Sequence, residues 1–344
     1  MTTIDASVVI PTYNRRESLL ETLATLAQQS YPFDRFEVIV VDDGSTDGTE
    51  AVARESIPFT LRYIRQLNQG SAAARNTGAQ HSHGRILIFI DDDVLVGPDY
   101  IAGLLEEHES YERVVAMATY RPYQEKSSSM FQTIQAPIIA SNENQEESHG
   151  FVPFTSCMTN NLSVEREAFF AIGMMHNPCG DGPATWGDVE FGYRAFLKGF
   201  RFRRSVRAVC CHRDYGLHSL AAHCAKRQRQ ASLAVLMFQK HPTLFPEISM
   251  FQDKAPISWR LDPPGLIARK LARHLASSTP TLRGMEWLVN ILERRYPSPA
   301  ALRRLYRWII AGYVFRGFRM GLGVYGSIPR ATRQSVIQPV GQRG

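Results

Sequence analysis

Short apolar runs recur along the front of the chain, each ending in turn residues and followed by helical spacing. Residues 7–14 carry Val8-Val9-Ile10 into Pro11-Thr12-Tyr13-Asn14, a strand that ends in a turn. Leu19, Leu20, Leu23, Leu26 and Ala27 then share one helix face, stopped at Ser30-Tyr31-Pro32. Residues 36–41 predict a second strand, running into Asp42-Asp43-Gly44-Ser45-Thr46-Asp47, which is turn and cap chemistry for a helix through Ala53. A third strand is predicted over 59–65. Asn68-Gln69-Gly70 then turns into a small-residue helix over 71–79, ended by Gly84. The fourth strand, Ile86-Leu87-Ile88-Phe89-Ile90, has no polar alternation, so it is expected to be buried on both faces. It runs straight into Asp91-Asp92-Asp93, and Gly97-Pro98-Asp99 opens the next helix. Strands alternating with helices at this spacing predict βαβ units and a parallel sheet.

After Tyr111 the pattern loosens. Residues 121–150 are polar, and a stretch of that length reads either as a functional lid or as disorder. Order returns with a strand over 159–164 and a short helix over 165–172. A loose loop follows over 173–187, with Gly180, Gly182 and Pro183. A helix is predicted from Asp188 to its stop at Gly199. Residues 201–204 and 206–211 make a further strand that exits at His212. A long helix over 217–240 is ended by His241-Pro242. The tail from Pro263 is helical and rich in arginine. These shifts divide the chain into a domain over 1–240, with halves at about 1–119 and 150–240, and an extension over 241–344.

Composition bounds the class. At 344 residues, 44% hydrophobic and 21% charged, the chain is an ordinary globular sequence with enough length for a large core. No apolar run approaches the roughly 18–20 residues of a spanning helix. Met1 to Asp5 has no basic segment of the kind that opens a signal peptide. The five cysteines lack Cys-x-x-Cys spacing, which fits reduced thiols in a cytosol rather than a disulfide framework or zinc site. Charge is uneven. Residues 260–344 hold 15 Lys+Arg against 3 Asp+Glu, a balance of +12 within a total of +6, so the remainder is at −6. The last quarter therefore suits an anionic partner. Arg303, Arg304, Arg307, Arg316 and Arg319 flank an apolar run from Trp308 to Phe315. That make-up suits an interfacial helix on anionic lipid, or a packed helix with solvated arginines. No nucleic-acid module accompanies the charge.

The acids carry the chemistry. Three carboxylates at the exit of a buried strand need water, a cation or hydrogen-bond donors. Ligands in open α/β sheets bind at that edge. Asp91-x-Asp93 reads as a carboxylate clamp on a divalent metal that in turn holds phosphate; the bland reading is an acidic turn before a helix. No Gly-x-Gly-x-x-Gly follows the first strand, so the dinucleotide fingerprint is absent. Acidic loops at two neighbouring strand exits, Asp42-Asp43 and Asp91 to Asp93, suit a nucleoside and its phosphates instead. Asp188 reads either as a helix N-cap or as a general base beside a glycine-rich loop. Glu190 and Arg194 are spaced for an i,i+4 ion pair. His212 is a surface or core histidine, or a further metal ligand.

Six segments, taken together, resemble glycosyltransferase family 2. They are Val9-Ile10-Pro11-Thr12-Tyr13-Asn14, Val40-Val41-Asp42-Asp43-Gly44-Ser45, Ala74-Arg75-Asn76, Phe89-Ile90-Asp91-Asp92-Asp93, Asn161-Leu162-Ser163-Val164 and Gly187-Asp188-x-Glu190-Phe191. They fall in the family's order and spacing over roughly residues 6–215. The resemblance implies a GT-A fold: a Rossmann-like α/β, mainly parallel sheet flanked by helices, here with a helical, basic C-terminal extension. It implies an inverting, nucleotide-sugar-dependent transferase using Mg2+ or Mn2+. Pro11, Thr12, Tyr13, Asp42, Asp43, Arg75, Asp91 and Asp92 would bind the nucleotide. Asp93 would be the main metal ligand, with Asp91 and His212 beside it, and Asp188 the catalytic base. The family often has Glu before that Asp; here it is Gly187.

UDP is the donor nucleotide expected first, with dTDP and GDP open. The acceptor would be a glycan, a lipid-linked or a small-molecule hydroxyl, in polysaccharide, glycolipid or other envelope glycan synthesis. The expected location is cytoplasmic, peripheral on the inner face of the membrane. Rival readings are a sugar nucleotidyltransferase, which would carry a basic Gly-rich loop after strand one, and a processive polysaccharide synthase, which would carry membrane spans. An inactive GT-A-like scaffold binding membrane or a partner is the non-enzymatic alternative.

Overall fold

The computed structural model describes residues 3–123, 129–143, 150–180, 185–213, 219–295 and 298–329. Parts of the polar stretch (124–128 and 144–149) and of the glycine-rich loop (181–184) lie outside these residues, as does the chain beyond 329.

Strands form where apolar runs lack alternation. They are β1 (Ala6–Thr12), β2 (Phe36–Asp42), β3 (Thr60–Arg65), β4 (Ile86–Ile90), β5 (Val94–Val96), β6 (Val114–Arg121), β7 (Phe151–Val152), β8 (Asn161–Glu165) and β9 (Arg201–His212). The helices are α1 (Arg16–Leu26), α2 (Ser71–Gln80), α3 (Tyr100–Ser110), α4 (Met130–Glu143), α5 (Arg166–Ile172), α6 (Gly187–Leu197), α7 (Leu220–Lys240), α8 (Pro264–Ala276), α9 (Thr279–Arg295) and α10 (Pro299–Tyr325). The segment after Asp47 forms a six-residue 3-10 helix, Thr49–Arg54, rather than an α-helix. It runs from Gly48 at φ +82° to extended Glu55, too short to repay α-helix nucleation.

Contacts divide the chain into two units, one over residues 1–123 and 139–214, the other over 124–138 and 215–337. The first holds the sheet, in order β3-β2-β1-β4-β8-β6-β9-β5, with β7 beside β9. From β3 to β4 neighbours are parallel, as the βαβ pattern predicts. β8 enters antiparallel to both β4 and β6, so the sheet is mixed beyond β4. All five residues of β4 are fully buried, as a run without alternation requires. Gly78 lets α2 lie close on the sheet: a Cβ there would come 2.3 Å from Val9 Cγ1.

β8 is held to β6 through a buried amide. Asn161 Oδ1 accepts from Tyr100 Oη (3.0 Å) and Ala118 N (3.1 Å), and its Nδ2 donates to Ala118 O (2.9 Å). Four elements, β5, β6, β7 and α4, are absent from the sequence reading. β5 is a three-residue strand hidden just after the acids. α4 occupies part of the stretch read as lid or disorder, with Pro137 inside it.

In the second unit α10 packs along α7. A Cβ on Gly317 would lie 2.0 Å from Gln228 O, and one on Gly321 2.3 Å from Ser232 O, so the two backbones nearly touch. Ile309, Val314, Phe315 and Phe318 are buried. Much of the Trp308 to Phe315 run is therefore packed within its own unit, with Trp308 half exposed. α7, which the sequence pattern groups with residues 1–240, lies in this second unit.

His108 on α3 is buried and shares a 2.9 Å hydrogen bond with Ser163 Oγ. Burial pushes its pKa from 6.5 down to about 4, with the Arg85 charge acting the same way. The folded state thus holds this imidazole neutral, while the unfolded chain takes up a proton as pH falls below 6.5. Stability from this group is complete above pH 6.5 and is lost as pH drops towards about 4, by about 3 kcal/mol. Urea unfolding of the parent and of His108→Gln across that range should show the difference between them changing with this slope. A pH-independent difference would refute the assignment.

Candidate active site

The site lies at the C-terminal edge of the parallel strands. Thr12, the last residue of β1, is in register with Asp42 at the end of β2. Its Oγ1 donates to Asp92 Oδ2 at 2.7 Å, and its carbonyl accepts from Asp43 N at 2.9 Å. Pro11 is buried beside it, whereas Tyr13 is half exposed. Asp42 accepts from Ser45 N (2.7 Å) and from the Tyr63 hydroxyl. Asp43 accepts from Gln66 Nε2 (2.8 Å), Gln69 N (2.9 Å) and Gly70 N (2.8 Å). The pair therefore ties the loop after β2 to the segment that starts α2.

Arg75, buried on α2, is ion-paired with Asp91, and its Nε is buried with no hydrogen-bond partner. Asp92 and Asp93 are each 5% exposed. Burial pushes the Asp92 carboxyl up to about 7; Thr12 and Arg15 oppose the shift, and Asp93 and Asp91 add to it. Burial also raises Asp93, against the charges of His212 and Arg15. The backbone pins both: Thr22 Oγ1 donates to Asp92 O (2.9 Å) and Arg213 N to Asp93 O (2.9 Å).

His212 arrives through β5. Val94 pairs with His212 in the antiparallel β5–β9 ladder, which sets the imidazole next to Asp93, with Nε2 3.4 Å from Oδ1. One ligand atom each from Asp91, Asp93 and His212 lies within 4.8 Å of the others. Asp93 Oδ1 is buried and has no hydrogen-bond partner. Two carboxylate oxygens, one of them unsatisfied, and an imidazole nitrogen are a donor set suited to Mg2+ or Mn2+.

Asp188 sits in the first turn of α6. The N-cap is Trp186, in the left-handed region at φ +64°, and no side chain caps the helix. The capping reading of Asp188 is therefore replaced: its Oδ1 accepts from Val189 N at 2.8 Å, within the first turn. Burial raises its pKa, the Val189 N–H and the Arg75 charge lower it, and the Asp91 charge raises it. Asp188 thus feels the same two groups that pair at the end of β4. A Cβ on Gly187 would lie 2.8 Å from His176 O, so a side chain at that position needs the backbone to move.

Arg15 was not among the residues singled out from the sequence. Its Nη1 lies 2.7 Å from Asp93 Oδ2 and 3.4 Å from Asp92 Oδ1. The available signal was a cation directly after the turn of the first strand, where the chain passes the acids.

Residues 7–173 match the family model for glycosyl transferase family 2, and the chain belongs to that family. It is similar to validoxylamine A glucosyltransferase of Streptomyces hygroscopicus subsp. jinggangensis, at 31% identity over 277 residues, 70% of this chain and 62% of the relative. It is also similar to glycosyltransferase AglE of Haloferax volcanii, at 45% identity over 93 residues, 25% of this chain and 30% of that protein. The chain spans 62% and 58% of the length of the two validoxylamine A glucosyltransferases it matches. Among solved structures, the mannosyltransferase PcManGT from Pyrobaculum calidifontis, in complex with GDP-Man and Mn2+, shares the fold. Its TM-score is 0.59 at 22% identity, covering 92% of this chain and 89% of that one.

The α6 helix is anchored by a buried ion pair. Glu190 is fully buried, and Arg194 binds it at 2.9 Å while donating to Ile172 O (2.7 Å) and Met174 O (2.6 Å). Arg194→Met removes the guanidinium from a buried carboxylate, which costs about 3–5 kcal/mol. Urea unfolding should register that loss, and a change below about 1 kcal/mol would show the pair to be solvent-screened.

Proposed function

We propose that this chain is a metal-assisted, inverting glycosyltransferase that moves a sugar from a nucleotide-diphosphate sugar, UDP-linked in the first instance, to an acceptor hydroxyl. The observation that carries this is the grouping of Asp91, Asp93 and His212 around an unsatisfied buried carboxylate oxygen, with Asp188 within electrostatic reach. Thr12, Tyr13, Asp42 and Asp43 would line the nucleoside side of this edge, with Pro11 beside them in β1. Arg75 offers a buried N–H without a partner, suited to a phosphate oxygen. Asp91, Asp93 and His212 would hold a divalent cation, with Asp92 braced behind them by Thr12. Once bound, that cation neutralises charge on the departing nucleoside diphosphate.

Asp188 takes the proton of the acceptor hydroxyl as its oxygen attacks the anomeric carbon from the face opposite the leaving group. Burial raises its pKa from the ordinary value, which makes it a stronger base. A single displacement inverts the anomeric configuration. The acceptor is a glycan, lipid-linked or small-molecule hydroxyl, and the setting is envelope glycan synthesis on the cytoplasmic side, in keeping with five free cysteines.

Titration calorimetry with UDP, dTDP and GDP, each with Mn2+ and with EDTA, is the first test. One nucleotide should bind only with metal, and Asp93→Asn should abolish that dependence. Failure of all three to bind would overturn the assignment. Separately, Asp188→Asn should lower kcat by about 10²–10⁴ while leaving nucleotide affinity unchanged. Full transfer activity in that variant would remove Asp188 from the reaction.

A further inference from the structure

α8 is turned inside out. By i,i+4 spacing, Ile267, Leu271 and Leu275 fall on one face with Ala268 and Ala272 close by, while Lys270, Arg273 and Ser277 fall on another. In an ordinary surface helix the apolar face would be the buried one. Here Lys270 and Ser277 are buried, and Leu271 and Leu275 are 45% and 72% exposed. Ion pairs hold this orientation. Lys270 Nζ binds Asp262 Oδ2 (2.6 Å) and Pro256 O (3.0 Å), and Arg273 binds Asp253 (3.1 Å) with its guanidinium over the Trp308 ring. Just before the helix, Trp259 and Leu261 are 72% and 71% exposed.

We propose that the apolar face of α8, with Trp259 and Leu261, inserts into the headgroup region of an anionic lipid surface. Charge selects this occupant. Exposed Arg260 and Arg269 accompany the apolar residues, and residues 260–344 carry a balance of +12. Exposed Trp and Leu on a short helix with arginines at its polar margin suit an interface between water and acyl chains. No helix among the described residues is long and apolar enough to cross a membrane, so the contact is peripheral. The inference is independent of the reaction proposed above.

The test is co-sedimentation of the full chain with vesicles of phosphatidylcholine alone and of phosphatidylcholine with phosphatidylglycerol. The parent should sediment with the anionic vesicles only. Leu271→Gln/Leu275→Gln, which keeps the charge and the helix propensity, should lower that partition by about tenfold or more. Arg260→Gln/Arg269→Gln should weaken binding and flatten its dependence on salt. Brominated lipid should quench tryptophan fluorescence in the parent and do so less in Trp259→Phe, which gives a readout should the leucine variant fail to fold. The proposal is overturned if the parent ignores anionic vesicles, or if the leucine variant sediments as well as the parent. It is equally overturned if, without lipid, the parent self-associates and the leucine variant is monomeric, since a second copy would then cover this face.

Discussion

Repulsion among three adjacent carboxylates at the exit of β4 is the constraint around which the first unit is arranged. Like charges about 4 Å apart cost about 4 kcal/mol at a dielectric typical of a protein surface. Two of these acids are almost wholly buried. The compensation comes from separate crossovers of the sheet: Arg15 from the turn into α1, Arg75 from α2, Thr12 from β1 and His212 from β9. None is near the acids in sequence. The parallel order β3-β2-β1-β4 is what brings the first three together, because parallel strands carry all their crossover turns to one edge.

Beyond β4 the sheet changes direction, and that change delivers the remaining groups. Antiparallel β8 returns the chain along β4, and α5 and α6 follow it. The β5–β9 ladder is only three residues long, yet its register fixes His212 beside Asp93. A slip of one residue would turn the imidazole to the other face of the sheet. Asn161 secures the frame from behind, since its amide bonds both edges of Ala118 and the hydroxyl of Tyr100. Geometry at the Asp91, Asp93 and His212 cluster therefore rests on buried polar contacts some distance from it.

The parallel strands were legible because unbroken apolar runs have one economical fate, burial on both faces. The acids were legible as a site for the complementary reason, that such a cluster cannot share that burial. β5 was hidden because Val94 to Val96 reads as the approach to Gly97-Pro98, and three residues give no periodicity to count. α4 was hidden by the polar runs on either side of it and by Pro137. Arg15 escaped because an arginine at a helix start looks like a solvated charge until the sheet places it over Asp93. Asp188 fitted an N-cap by spacing, and only the left-handed backbone of Trp186 moves the cap two residues earlier.

The helices of the second unit show why charge and apolar content alone do not decide which face is covered. α10 and α8 are both rich in arginine. α10 is committed by Gly317 and Gly321, whose four-residue spacing lets its backbone meet α7, while Phe318 packs on Phe245 and Phe251. α8 makes no such approach at its one glycine, Gly265, where a Cβ would meet nothing within 4 Å. Instead, Asp253 and Asp262 stand where its polar side can reach them, and both draw cations inward. Partly buried ion pairs with this geometry outweigh the burial of two leucines only if those leucines have somewhere else to go. A helix whose charges face its own unit and whose leucines face outward is thus a solution for a chain with a second, apolar surface to meet.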